Sequence, residues 1–137
     1  MKSWIFYGVF PILLGVLSAA FHPQRASWRA PDPVGNEVTL SAIDQWMESV
    51  IWVDARSEGE YTKGHIPSAI WLSPEYFDAN LEQLLNRWMP GERIVVYCDA
   101  LQCDASHEVA DRLLNEIGLP EVYVLYEGWK SWKRSGK

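Results

Sequence analysis

Cys98 and Cys103, the only cysteines in this 137-residue chain, are the side chains best suited to chemistry. Cys98 closes the apolar run Ile94-Val95-Val96-Tyr97, and helical spacing begins at Ser106. Between them lies Asp99-Ala100-Leu101-Gln102-Cys103-Asp104-Ala105. A strand, a tight loop and a helix N-terminus together present free backbone N–H groups and the positive end of a helix dipole. A cysteine placed there has its thiolate stabilised, and the thiolate is the reactive form. The alternative for Cys98 is an inert buried residue, since free cysteine packs as a small hydrophobe. A second cysteine in the same loop favours the reactive reading. Two cysteines are too few for the disulfide framework of a small secreted fold. With His107 they would still lack a fourth zinc ligand, so neither a metal nor a cofactor is expected.

The elements that must position this loop follow from apolar patterning. Continuous apolar runs at Val50–Val53, Ala69–Leu72, Ile94–Tyr97 and Val122–Leu125 predict strands buried on both faces, as in a parallel sheet. Helical spacing predicts helices over Ser41–Met47 with Ser41 as cap, Ser57–Lys63 stopped by Gly64, Pro74–Trp88, Ser106–Ile117 stopped by Gly118, and a last one from Gly128 to Trp132. Strands alternating with helices predict an α/β fold, a central parallel sheet flanked by helices. Ligands of such sheets sit outside the carboxyl ends of the strands, where Cys98 lies.

Residues Trp4 to Phe21 carry no charge, with Lys2 before them and Arg25 and Arg29 after. As an N-terminal apolar helix they would span about 27 Å, close to a bilayer's hydrocarbon core. Ser18-Ala19-Ala20 offers the small residues of a cleavage site. Residues 1–21 are therefore either a signal peptide or an uncleaved membrane anchor, and the length of the run tips the balance towards the anchor. Residues 22–36, with Pro23, Pro31, Pro33 and Gly35, read as a linker, and 37–137 as the domain. This organisation predicts an exported or membrane-anchored, extracytoplasmic domain. Residues 31–137 hold all 18 acids against 9 bases, which excludes nucleic acid as a partner.

Several ordered motifs identify a family. Asp54-Ala55-Arg56, Glu60-Tyr61 and Gly64-His65-Ile66-Pro67 resemble the rhodanese signature, and Ile94–Cys98 resembles the strand leading to its nucleophile. Glu127-Gly128-Trp129-Lys130-Ser131-Trp132 is similar to its closing Gly-Gly-x-x-x-Trp, with Glu127 in place of the first glycine. The resemblance covers roughly residues 37–133 and implies a three-layer rhodanese-like fold. It implies a sulfurtransferase in which Cys98 accepts a sulfane sulfur as a persulfide and passes it from a small donor to a thiol acceptor. The loop Asp99, Ala100, Leu101, Gln102, Asp104, Ala105 and Ser106 would hold that persulfide. Asp54, Arg56, Glu60 and His65 would support the site through charge pairs and hydrogen bonds at the strand end.

The loop departs from the family where many members carry an arginine, five positions after the cysteine. Cys103 stands there, and no Lys or Arg occurs from Cys98 to Asp111. An anionic donor would meet Asp99 and Asp104 instead, which disfavours thiosulfate. Cys103 is either an incidental replacement or a resolving thiol that closes a disulfide with Cys98. Three functions remain open: a persulfide sulfurtransferase, a thiol–disulfide redox protein using Cys98 and Cys103, and a non-catalytic rhodanese-like module that docks a membrane-protein partner.

Overall fold

A computed structural model describes residues 35–99 and 103–137. The expected N-terminal apolar helix, its membrane contact over 4–21, nearly all of the 22–36 linker, and the loop residues Ala100, Leu101 and Gln102 lie outside the described residues. The chain divides into two units at Pro31/Asp32, and the described residues all belong to the second. Among the described residues, no helix is long and apolar enough to cross a membrane.

Five strands form one sheet: β1 (Glu37–Val38), β2 (Val50–Asp54), β3 (Ile70–Trp71), β4 (Arg93–Tyr97) and β5 (Val122–Leu125), in the order β1-β5-β4-β2-β3. Every pairing is parallel, and the register sets Asp54 beside Tyr97 and Val53 beside Val96. The helices are α1 (Leu40–Ile43), α2 (Glu58–Lys63), α3 (Phe77–Arg87), α4 (Asp104–Asp111) and α5 (Gly128–Ser135).

Strand periodicity divides the apolar residues between two cores. Ile51, Val53, Ile94, Val96, Val122 and Val124 point to one face and pack with Phe77 and Leu84 of α3 and Val109 of α4. Val95, Tyr97 and Leu125 point to the other, against Ile43 of α1, Ile66, and Trp129 and Trp132 of α5. Burial on both faces explains why these strands read as unbroken apolar runs rather than as alternation. Trp52 meets Trp132 edge-on at 5.4 Å between centroids, and Trp46 meets Tyr123 at 5.1 Å.

The local details correct the sequence reading in several places. α1 is shorter than Ser41–Met47 and is capped by Thr39, whose Oγ1 accepts from the Ala42 amide at 3.2 Å. Trp46 packs inward while Met47 is fully exposed, so these two do not continue one helical stripe. α3 starts at Phe77 because Ser73–Tyr76 forms a turn closed by Tyr76 N–H to Ser73 C=O at 3.2 Å. The helix expected from Ser106 starts at Asp104, and its second half, Arg112–Ile117, widens into a π-helical segment. β1 is an addition to the expected strands. Two half-buried residues at a sheet edge carry no readable periodicity, and only their pairing with β5 defines them.

Candidate active site

β4 delivers Cys98 to the carboxyl edge of the sheet, beside β2, where the Ala55 amide donates to the Tyr97 carbonyl at 2.9 Å. Cys98 is buried, with only 6% of its surface exposed. Cys103 occupies the N-cap position of α4 without a side-chain cap bond, and Ser106 Oγ donates to its carbonyl at 3.1 Å. Cys98 and Cys103 are joined as a disulfide, with Cα atoms 6.1 Å apart. That separation lies inside the range of ordinary disulfides. Ser106 therefore does not open the helix. It sits inside the first turn, buried, and ties back to Cys103. Asp104 is exposed in the same turn, where a carboxylate suits the helix dipole, and Ala105 is half-buried.

A buried polar knot forms at the same strand ends, where Asp54 stands in register beside Tyr97, the residue before Cys98. Asp54 accepts from the Arg56 amide (3.0 Å), from Arg56 Nε (3.0 Å) and Nη2 (2.6 Å), and from Tyr97 Oη (2.6 Å). Arg56 Nη2 also donates to the Gly64 carbonyl at 2.7 Å, and the guanidinium lies 4.7 Å above the Trp129 ring. Tyr97 Oη accepts from the Ile66 amide at 3.0 Å. Burial opposes the charge on Arg56, but the Asp54 carboxylate more than offsets it and holds the guanidinium pKa above its ordinary value. The remaining guanidinium nitrogen, Nη1, reaches to within 3.6 Å of Asp99. The loop thus lacks a cation of its own but has one contributed from the end of β2.

α5 closes the site from the other side. Trp129 N–H donates to the Cys98 carbonyl at 2.6 Å and Lys130 N–H to the Asp99 carbonyl at 3.3 Å. Gly128 makes this approach feasible. A Cβ at that position would overlap the Cys98 carbonyl, lying 2.9 Å from its carbon.

Of the expected supporting residues, Asp54 and Arg56 join the knot, whereas Glu60 and His65 make local bonds within α2 and its exit. Glu60 pairs with Lys63 at 2.9 Å, and its amide is capped by Ser57 Oγ at 3.3 Å. His65 is exposed, stacks on Tyr61 at 3.9 Å, and donates from Nδ1 to the Tyr61 carbonyl at 2.9 Å. The site residues that sequence reasoning does not find are Tyr97, Gly128 and Trp129. Tyr97 is legible only as one more apolar residue of a strand, yet its hydroxyl is the pivot between Asp54 and Ile66. Gly128 and Trp129 stand in the closing motif, which was the one signal that could have placed them at Cys98.

Burial first, and then the bond to Asp54, push the Tyr97 phenol well above the ordinary tyrosine range. The folded state therefore holds this proton more tightly than the unfolded chain. Stability from it is fully present below about pH 10, the unfolded tyrosine value, and falls as pH rises beyond it. Tyr97→Phe should cost about 1–3 kcal/mol at neutral pH, since the Ile66 amide and Asp54 each lose a partner. It should also flatten the alkaline fall of stability, read from urea midpoints between about pH 8 and pH 11.

Beside this knot, the turns after β2 and β3 enclose a cleft of about 520 Å³ that includes Ala55, Glu58, Trp71, Ser73, Glu75 and Tyr76. Ser73 Oγ is buried there with no hydrogen-bond partner among the described residues. The cleft opens at the same end of the sheet as Cys98, with two carboxylates on its wall. Among the described residues, no cluster of His, Cys, Asp and Glu is arranged to hold a metal ion.

A parallel sheet with helices on both faces, and a cysteine pair at the end of its central strand, define an α/β protein with a strand-end cysteine site. Residues 39–135 match the rhodanese-like domain family, and the chain belongs to it. The uncharacterized protein YibN of Escherichia coli is 34% identical over 85 residues, which are 62% of this chain and 57% of YibN. The chain thus matches little more than half of that relative's length. The thiosulfate sulfurtransferase GlpE of Coxiella burnetii is 29% identical over 98 residues, covering 69% of this chain and 85% of GlpE. Among solved structures, the BH2092 protein of Bacillus halodurans shares the fold at a TM-score of 0.60 and 20% identity, over 93% of this chain and 80% of its own.

Proposed function

We propose that this chain is a sulfurtransferase of the rhodanese type that carries sulfane sulfur as a persulfide on Cys98. The observation that carries this reading is the placement of Cys98. It ends β4, opens the loop into α4, and has its carbonyl pinned by the Trp129 amide. The likeness to a thiosulfate sulfurtransferase supports the same chemistry. A small sulfur donor and a thiol acceptor are the partners this requires. The Cys98 thiolate attacks the terminal sulfur of the donor, the rest of the donor leaves as a thiolate, and the α4 N-terminus would help to hold the persulfide. The carboxylates of Asp99 and Asp104 favour an uncharged or thiol-type donor over thiosulfate. Residues 4–21 would export the domain or hold it at a membrane, on the outer side, within reach of a membrane-protein partner.

The reading is tested by intact mass measurement of the reduced full-length chain after exposure to glutathione persulfide. Cys103→Ser, which cannot close the disulfide, should gain about 32 Da, one sulfur, and Cys98→Ser should gain none. Equal uptake by both would remove Cys98 from the reaction. The Cys98–Cys103 disulfide favours a second reading, a thiol–disulfide redox protein that takes up no sulfur at all. In that case the reduced chain would cycle with disulfides, and Cys103→Ser would show no gain of about 32 Da from the persulfide.

A further inference from the structure

Loading of sulfur onto Cys98 does not by itself require Cys103, yet the fold joins the two as a disulfide. Cys98 is held by β4 and by the Trp129 amide, and Cys103 is held by α4 and Ser106. Their Cα atoms are 6.1 Å apart and their sulfurs are bonded. A thiol anchored this closely competes with any external acceptor at an effective concentration that dissolved thiols cannot match. The charges reinforce this bias. Asp104 is exposed at the start of α4, and the one guanidinium that reaches the loop, Arg56, is already paired with Asp54 and Asp99, so it offers little to draw an anionic acceptor in.

We propose that Cys103 resolves the Cys98 persulfide, which makes the domain a sulfide-releasing persulfide reductase rather than a donor of sulfur to an outside acceptor. The proposal rests on the persulfide reading and adds to it the fate of the sulfur. The Cys103 thiolate attacks the inner sulfur, Cys98 Sγ, of the protonated persulfide. The Cys103–Cys98 sulfur–sulfur bond forms, and the bond from Cys98 Sγ to the sulfane sulfur breaks. Hydrosulfide leaves with that bonding pair and the persulfide's proton. The sulfane sulfur is reduced by two electrons to sulfide, and the two cysteines are oxidised by two electrons to the disulfide. Hydrosulfide is a better leaving group than an alkyl thiolate, which directs the exchange this way. An external dithiol then reduces the Cys98–Cys103 bond and becomes a disulfide itself. The bonded pair is thus the product state of each turnover.

The test is a single turnover without oxygen, using the reduced full-length chain, one equivalent of glutathione persulfide, and no added dithiol. The wild type should release one equivalent of sulfide per chain and end about 2 Da lighter than the reduced protein. Cys103→Ser should end about 32 Da heavier and release no sulfide beyond the donor's own background. In a second arm with excess glutathione persulfide, cyanide as acceptor and no dithiol, Cys103→Ser should turn over repeatedly to thiocyanate while the wild type stalls after one cycle. If the wild type instead retains the added sulfur and releases no sulfide, resolution by Cys103 is wrong and the persulfide reading stands. If Cys103→Ser gains no mass and makes no thiocyanate, the persulfide reading falls and resolution falls with it.

Discussion

Asp54→Ala should destabilise the domain by about 3–5 kcal/mol, the cost of stranding a buried charge. Asp54 is fully buried and Arg56 is 3% exposed. The carboxylate takes bonds from the Arg56 amide and side chain and from Tyr97 Oη. Without it, the guanidinium keeps the Gly64 carbonyl and the Trp129 face but loses its counter-charge. Small domains are stable by only about 5–15 kcal/mol, so this loss is a large fraction of the whole. Asp54→Asn should cost less, since an amide oxygen still accepts from Arg56. Asp54→Ala combined with Arg56→Leu should be milder than Asp54→Ala alone, because removing both charges is cheaper than leaving one unpaired. Urea unfolding read by tryptophan fluorescence provides the check. The midpoint should be lowest for Asp54→Ala and higher for the other two variants, while the slope stays constant. Equal destabilisation by the single and double variants would mean that packing, not charge, holds the knot.

The knot also shows what the sequence could and could not convey. β2, β4 and β5 are legible because each is apolar on both faces, and a parallel sheet is legible because strands alternate with helices. Cys98 is legible as the residue that ends an apolar run. Asp54 and Arg56 are legible as a motif, but nothing in Asp-Ala-Arg says which third group completes the set. That group is Tyr97, placed there by the register of β2 against β4. Register is a property of pairing, so a one-dimensional pattern does not hold it. Glu60 and His65 belong to the same motif yet bond within α2 and to Tyr61. They flank the helix end where Gly64 N–H donates to the Tyr61 carbonyl and the Gly64 carbonyl accepts from Arg56. Ser106 marks the start of α4 two residues too late, because Cys103 takes the N-cap position without the side-chain bond that signals such a position in a sequence.

Gly128→Ala should be nearly as damaging as loss of Asp54, and for a different reason. The preceding residue, Glu127, stands where the family's motif has its first glycine. It lies at φ 57°, in the left-handed region, with its carboxylate paired to Arg134. That conformation costs a residue other than glycine about 1–2 kcal/mol, and the fold tolerates it. Gly128, at φ 47°, has the same backbone demand but no room, because an added Cβ would overlap the Cys98 carbonyl. One glycine of the family's pair is therefore replaceable and the other is not. Alanine at 128 must push α5 off Cys98, which breaks the Trp129 N–H bond to the Cys98 carbonyl and lifts the indole from Arg56. The conformational and overpacking terms together are about 2–4 kcal/mol. If Cys98 carries the persulfide as proposed, a displacement of about 1 Å there slows sulfur loading roughly a hundredfold. Gly118→Ala is the matched control. Gly118 is also left-handed, at φ 80°, but open space surrounds it. It should lose about 1–2 kcal/mol of stability and none of the loading rate. Rates of mass gain from glutathione persulfide, measured in a Cys103→Ser background well below each variant's unfolding midpoint, separate the two. Equal loading rates for Gly128→Ala and Gly118→Ala would show that α5 supports the fold without positioning Cys98.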